Sequence, residues 1–169
     1  IHNILNYIHS EYLKDGKVPN AKEINKIFKK MFTMRYATKK ITENMIKAGK
    51  KIVKNYVKMH SKDFASILDT EKRFEFVVDG TMITGVIDLL KKVDDKGNVT
   101  HVNILDFKTE KEDGIYSVDY EKQVRYYAIG CLESLGLKPA KAYVHSLDGD
   151  KIREIDISDD RLVDTKKDI

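Results

Sequence analysis

The spacing of apolar residues changes once along the chain, and that change limits the folds open to it. Up to residue 60, apolar side chains return every three or four positions; from Glu71 onward they return every second position. The first period places one buried face on a helix, and the second places one on a strand. Helices are therefore expected first and a sheet after them.

Ile1, Ile4, Leu5, Ile8 and Tyr12 predict a helix that stops at Asp15-Gly16, with Pro19 beyond. Asn20 is a good cap for a second helix burying Ile24, Ile27, Phe28, Met31 and Phe32. A third runs from Thr38 to His60, with Ile41, Met45, Ala48, Ile52, Val53, Tyr56 and Val57 inward and Lys40, Lys47, Lys51, Lys54 and Lys58 on the other side. Phe74, Phe76 and Val78 then alternate with Glu75 and Val77 up to Asp79-Gly80, a strong hairpin signal. The returning strand, Met82 to Lys92, is apolar on both faces, as in a sheet centre. A turn at 94–98 leads to a strand from Val99 to Lys108. A charged loop over 110–117, a helix from Asp119 to Leu135 ended by Gly136 and Pro139, strands Lys141 to Leu147 and Lys151 to Ile157, and a short helix after Ser158 complete the reading. The order implies an α/β sandwich around a mixed sheet.

At 169 residues one domain is expected, a basic helical part over 1–62 joined to an α/β core over 71–169. Charge divides the same way. Residues 1–62 hold 15 Lys and Arg against 4 Asp and Glu, and the remainder 16 against 23, so a net +4 conceals a +11 part and a −7 part. A polyanionic partner suits the first, and Lys47, Lys51, Lys54 and Lys58 are its candidate phosphate contacts; a simply solvated lysine face is the competing reading. No apolar run is long enough to span a membrane and no secretory signal stands at the start, so the expected location is cytoplasmic. Ile1 in place of Met suggests a fragment of a larger protein. The single cysteine, Cys131, excludes an internal disulfide and any Cys-rich metal site, and reads as core. His2, His9, His101 and His145 read as ordinary structural or surface residues, and no glycine-rich phosphate loop is present.

Two carboxylates interrupt apolar strands. Val102, Ile104, Asp106 and Lys108 share one face of their strand, and Thr84, Val86, Asp88 and Leu90 one face of the neighbouring strand. Burying a carboxylate is costly unless it is paired or holds a metal. Oxygen donors of this kind suit Mg²⁺ or Mn²⁺. The alternative is a structural ion network, in which Asp106 pairs with Lys108 while Asp88 caps a loop or pairs with Lys91 or Lys92. Gln123 and Tyr127 lie one turn apart on the following helix.

Gly85-Val86-Ile87-Asp88, then Ile104-Leu105-Asp106-Phe107-Lys108-Thr109, then Gln123 to Tyr127 together resemble the RecB-type branch of the PD-(D/E)XK nuclease superfamily, over about residues 71 to 135. The resemblance implies a restriction-endonuclease-like core and a divalent-metal-dependent DNA nuclease, an exonuclease in many members, acting in end processing, recombination or repair beside a helicase domain of the same chain or complex. It implies Asp88, Asp106 and the Phe107 carbonyl as ligands of Mg²⁺ or Mn²⁺, Lys108 as the residue that helps activate water, and Glu71, Gln123 and Tyr127 as supporting or DNA-contacting residues. DNA, as linear ends or a single strand, is the implied partner. One feature departs from the pattern: the helix before the sheet, which in the family carries a His or Glu facing the metal, reads Gly49 to Asn55 here and contains neither, His60 lying beyond it and Glu43 two turns before. A nuclease-like module that binds DNA without cutting it is therefore the alternative, and a small-molecule-binding α/β domain a more distant one.

Overall fold

A computed structural model describes residues 1–32, 39–93, 100–109 and 117–168, which form two compact units, Ile1–Ala65 and Ser66–Ile169. The expected turn at 94–98, most of the charged loop, Thr38 and Val99 lie outside the described residues.

The first unit is helical. Helix α1, His2–Asp15, ends where Gly16 takes the left-handed conformation (φ 70°) and its N–H bonds the Tyr12 carbonyl. Helix α2, Ala21–Met31, starts at a capping box, the Asn20 side chain accepting from Lys22 and Glu23 N–H while Glu23 accepts from Asn20 N–H. Helix α3, Lys39–His60, buries Gly49, Val53, Tyr56 and Val57. The expected inward face holds only in its second half: Ile41 and Met45 are about half exposed and Ala48 is exposed. Gly49 is buried instead because the Phe28 ring lies so close that a β-carbon there would stand 2.9 Å from it. Phe64, in the short 3₁₀ turn Ser61–Ser66, is fully buried and meets His9 and Tyr12 edge-on.

The second unit is a five-stranded sheet in the order β1-β2-β3-β4-β5, made of β1 Ile67–Val78, β2 Thr81–Lys92, β3 His101–Lys108, β4 Lys138–Ser146 and β5 Lys151–Ile155. Helix α4, Val118–Glu133, links β3 to β4, which are parallel as such a crossover requires; the other pairs are antiparallel. Helix α5, Asp159–Lys167, closes the chain. Asp79 and Gly80 both have positive φ and make the two-residue turn that pairs Val78 with Thr81.

Several strand boundaries differ from expectation, and β3 begins at His101. Strand β1 begins four residues early, carrying Glu71 inside it in the left-handed region (φ 48°), between the pairs Thr70–Leu89 and Lys72–Ile87 that flank Asp88. Strand β4 begins at Lys138, so Pro139 sits in the strand rather than before it, opposite Val102 where the β3 register shifts. Strand β5 ends at Ile155, two residues short of the expected Ile157. Strand β2 is also not apolar-buried throughout: Met82 and Val86 are exposed, and its buried run begins at Ile87.

One core lies between sheet and α4. Phe74, Phe76, Ile87, Leu90, Ile104 and Val144 pack there against Val124, Tyr127, Ala128 and Cys131. Phe74 fixes the spacing, because its ring occupies the room where β-carbons on Gly85 and Gly130 would stand, at 2.5 and 2.4 Å from it. Gly85, Ile87 and Leu90 all reach this side, so strict alternation slips by one residue within the segment holding Asp88.

Candidate active site

Strands β2 and β3 bring the expected acids together, and α4 supplies what faces them. Leu90 pairs with Ile104 and Leu89 with Leu105, so Asp88 and Asp106 continue adjacent strands past the last registered pair. The Asp88 carboxylate is held by the backbone of the neighbouring strand. Its Oδ2 accepts the Phe107 N–H at 2.7 Å, which anchors it one residue from Asp106. Thr70 of β1 donates its hydroxyl to the Asp88 carbonyl at 3.1 Å and ties down the same residue from the other strand.

Asp106 is only 2% exposed, and its Oδ2 lies 2.8 Å from Lys108 Nζ. Residues i and i+2 of a strand share a face, which explains how a buried carboxylate and a lysine side chain 15% exposed can meet. The Lys108 ammonium also donates to Gln123 Oε1 at 2.8 Å and stands 4.3 Å from the centre of the Tyr120 ring. Tyr127 completes the group. Burial first, then the charges of Asp106 and Asp88 and a hydrogen bond to Asp106, hold its phenol well above the ordinary range. Both carboxylates therefore act on one buried hydroxyl, and Tyr127 stays protonated at any working pH.

The local sequence explains the arrangement. Tyr120, Gln123 and Tyr127 follow each other at spacings of three and four, so they lie on one face of α4. The Ser117 side chain accepts the Asp119 N–H and fixes where that helix starts. Glu121 holds the same turn in place through Arg125 of its own helix at 3.2 Å and Arg153 of β5.

Asp88, Asp106, Phe107, Lys108, Gln123 and Tyr127 thus fall in one place. Glu71 is exposed on β1, between Thr70 and Lys72, whose partners Leu89 and Ile87 flank Asp88. Lys47, Lys51 and Lys58 are exposed on α3 and Lys54 is half-buried there, all in the first unit. His60 packs against the Tyr56 ring. The sequence reading missed Tyr120 and Thr70. The three-residue step from Tyr120 to Gln123 was the available signal for the first; nothing marked the second.

The chemistry of the donors suits a divalent cation. Two carboxylates and a lysine share one partly buried place, and bringing two carboxylates together there is costly unless cations stand beside them. Oxygen ligands in such a setting favour Mg²⁺ or Mn²⁺ over Zn²⁺.

Comparison with known proteins gives a family. Among solved structures, the one titled "Crystal structure of SSO0001" is 15% identical, with 98% of this chain and 82% of that chain covered and a TM-score of 0.41, a likeness too slight to carry weight. No curated protein matches. The family model described as the PD-(D/E)XK nuclease superfamily, whose members are in general divalent-metal-dependent nucleases, matches residues 1–168. The mixed five-stranded sheet flanked by helices is the restriction-endonuclease-like architecture expected of it. On a match of nearly its whole length, the chain belongs to the PD-(D/E)XK nuclease superfamily.

Proposed function

We propose that the chain is a divalent-metal-dependent deoxyribonuclease domain of the RecB type, hydrolysing phosphodiester bonds with Asp88, Asp106 and Lys108. The observation that carries this reading is the Asp88 carboxylate held on the Phe107 N–H, one residue from a buried Asp106 that is paired with Lys108.

In this reading Asp88, Asp106 and the Phe107 carbonyl hold Mg²⁺ or Mn²⁺, which when bound supplies a more acidic water and a polarised phosphodiester. The protein's own groups do the rest. Lys108 keeps a positive charge beside the phosphate as negative charge builds on it. Gln123 orients the lysine through its amide oxygen, and Tyr127 orients Asp106 through a phenol that stays protonated. Glu71 is a supporting charge on β1. Lys47, Lys51, Lys54 and Lys58 are contacts to DNA backbone. In this reading, which extends the resemblance to the RecB-type branch, the domain works on DNA ends or single strands supplied by a helicase, in the cytoplasm, during recombination or repair.

One observation favours the second reading, a module that binds DNA without cleaving it: the Asp106–Lys108 pair already neutralises one acid, and the segment from Gly49 to Asn55 adds no further ligand. The test is incubation of the protein with linear single- and double-stranded DNA in Mn²⁺, Mg²⁺ or EDTA. Metal-dependent degradation lost in Asp106→Ala and Lys108→Ala is expected. DNA binding with no cleavage at any metal concentration would establish the second reading instead.

A further inference from the structure

Among the described residues the Lys108 ammonium has three partners, and one of them is foreign to the chemistry described so far. Asp106 and Gln123 hold it through oxygen atoms at 2.8 Å each, whereas Tyr120 holds it through the face of its ring, 4.3 Å away. The three differ in what a cation would do to them. A divalent cation taken up by Asp106 competes for the same carboxylate and repels the ammonium. The Gln123 oxygen keeps a single hydrogen bond. The Tyr120 ring keeps its attraction undiminished, because the negative face of an aromatic ring draws an ammonium without carrying a formal charge.

Resting on the nuclease reading, we propose that Tyr120 is a positioning residue, its ring face retaining the Lys108 ammonium in the site when a divalent cation takes Asp106. A third carboxylate in its place would hold the lysine equally well, but it would also bind the cation or neutralise the lysine. An aliphatic side chain would do neither and hold nothing. The ring is suited to the task because it is fixed: Tyr120 packs against the core between sheet and α4, one turn before Gln123 on the same helix face. The turn that carries it is held at Ser117 by the cap and at Glu121 by two arginines.

Tyr120→Phe and Tyr120→Leu separate this role from packing, since both keep an apolar side chain of similar bulk and only the first keeps a ring. The first readout is the ε-methylene proton resonance of Lys108, assigned by its loss in Lys108→Arg. A ring-current upfield shift is expected in the wild type and in Tyr120→Phe, with and without saturating Mg²⁺, and not in Tyr120→Leu. The second is Mn²⁺-dependent DNA cleavage: kcat falls roughly tenfold or more in Tyr120→Leu with KM little changed, and stays within about twofold in Tyr120→Phe. A wild-type shift that collapses to the Tyr120→Leu position when Mg²⁺ is added overturns the proposal, as does wild-type cleavage by Tyr120→Leu. If the wild type itself cleaves nothing, the nuclease reading has failed, and the resonance comparison alone decides the role of Tyr120.

Discussion

Each unit buries a polar pair, and the two pairs have different surroundings. In the helical unit, His9 Nε2 and the Tyr56 hydroxyl lie 3.0 Å apart, and Phe64 stands edge-on to the imidazole. Both side chains are among the most buried of the unit, and the rings around them are aromatic. In the sheet unit, Asp106 and Lys108 lie 2.8 Å apart with a second carboxylate, an amide, a phenol and a ring face around them. A hydrogen-bonded pair among aromatic rings answers a structural need, since its hydrogen bond offsets part of the cost of burial. A charged pair with an additional carboxylate exceeds that need and makes sense as a place where a further cation and a substrate are bound.

The largest expected contrast is in catalysis. Asp106→Asn and Asp88→Ala reduce metal-dependent DNA cleavage to background, and Lys108→Ala lowers kcat by at least roughly 10²-fold. His9→Leu leaves kcat within about twofold of the wild type while lowering unfolding free energy by about 1–3 kcal/mol, because the buried hydrogen bond to Tyr56 is lost. Cleavage rates and urea melts of the four variants check this, and a His9→Leu enzyme as impaired as Lys108→Ala would erase the distinction.

The core behind the site should respond to volume rather than charge. Gly130→Ala puts a methyl group where the Phe74 ring lies, and a loss of about 1–3 kcal/mol in a denaturant melt is expected. The double variant Gly130→Ala, Phe74→Leu should recover part of that loss, since it removes the ring that the methyl group meets.

DNA affinity separates the units in another way. Replacing Lys47, Lys51, Lys54 and Lys58 together by Ala should flatten the dependence of log K on log salt by roughly 0.7–0.9 for each lysine that meets a phosphate. Binding measured between low and moderate salt tests it. An unchanged slope would return this helix face to the role of a solvated surface.

The smallest effect concerns Cys131, whose thiol is pushed up to about 12 by burial from an ordinary value of 9.0. The raised value favours the neutral thiol in the folded state. Its contribution to stability is therefore complete below pH 9 and is lost as pH rises from there towards 12. The stability difference between the wild type and Cys131→Ala should narrow over that window, and alkylation of the native thiol at pH 8.5 should proceed no faster than unfolding.

Much of this was legible in the residues because local chemistry decided it. Asp79-Gly80 can form only a tight turn, Asn20 with Glu23 is a capping box, and two-residue alternation puts Asp106 and Lys108 on one side of a strand whatever lies beyond. The remainder depended on partners distant in sequence. Asp69, Thr70 and Glu71 hide the start of β1, since a polar run with a left-handed residue carries no strand period and only pairing with β2 makes it a strand. Pro139 reads as an end, yet the register shift between Val102 and Asn103 admits it inside β4. The first turns of α3 share the apolar pattern of the last, but a pattern does not record where a helix outruns its neighbours. Tyr120 looks like any core aromatic until the Lys108 ammonium is found over its ring.

The claim that Asp88 and Asp106 form one cation site is tested most directly by titrating Mn²⁺ calorimetrically into the wild type, Asp88→Ala, Asp106→Asn and His9→Leu. Saturable binding to the wild type and to His9→Leu, weakened at least roughly tenfold in each aspartate variant, is the predicted result. Equal binding by all four proteins, or none by the wild type, would contradict it.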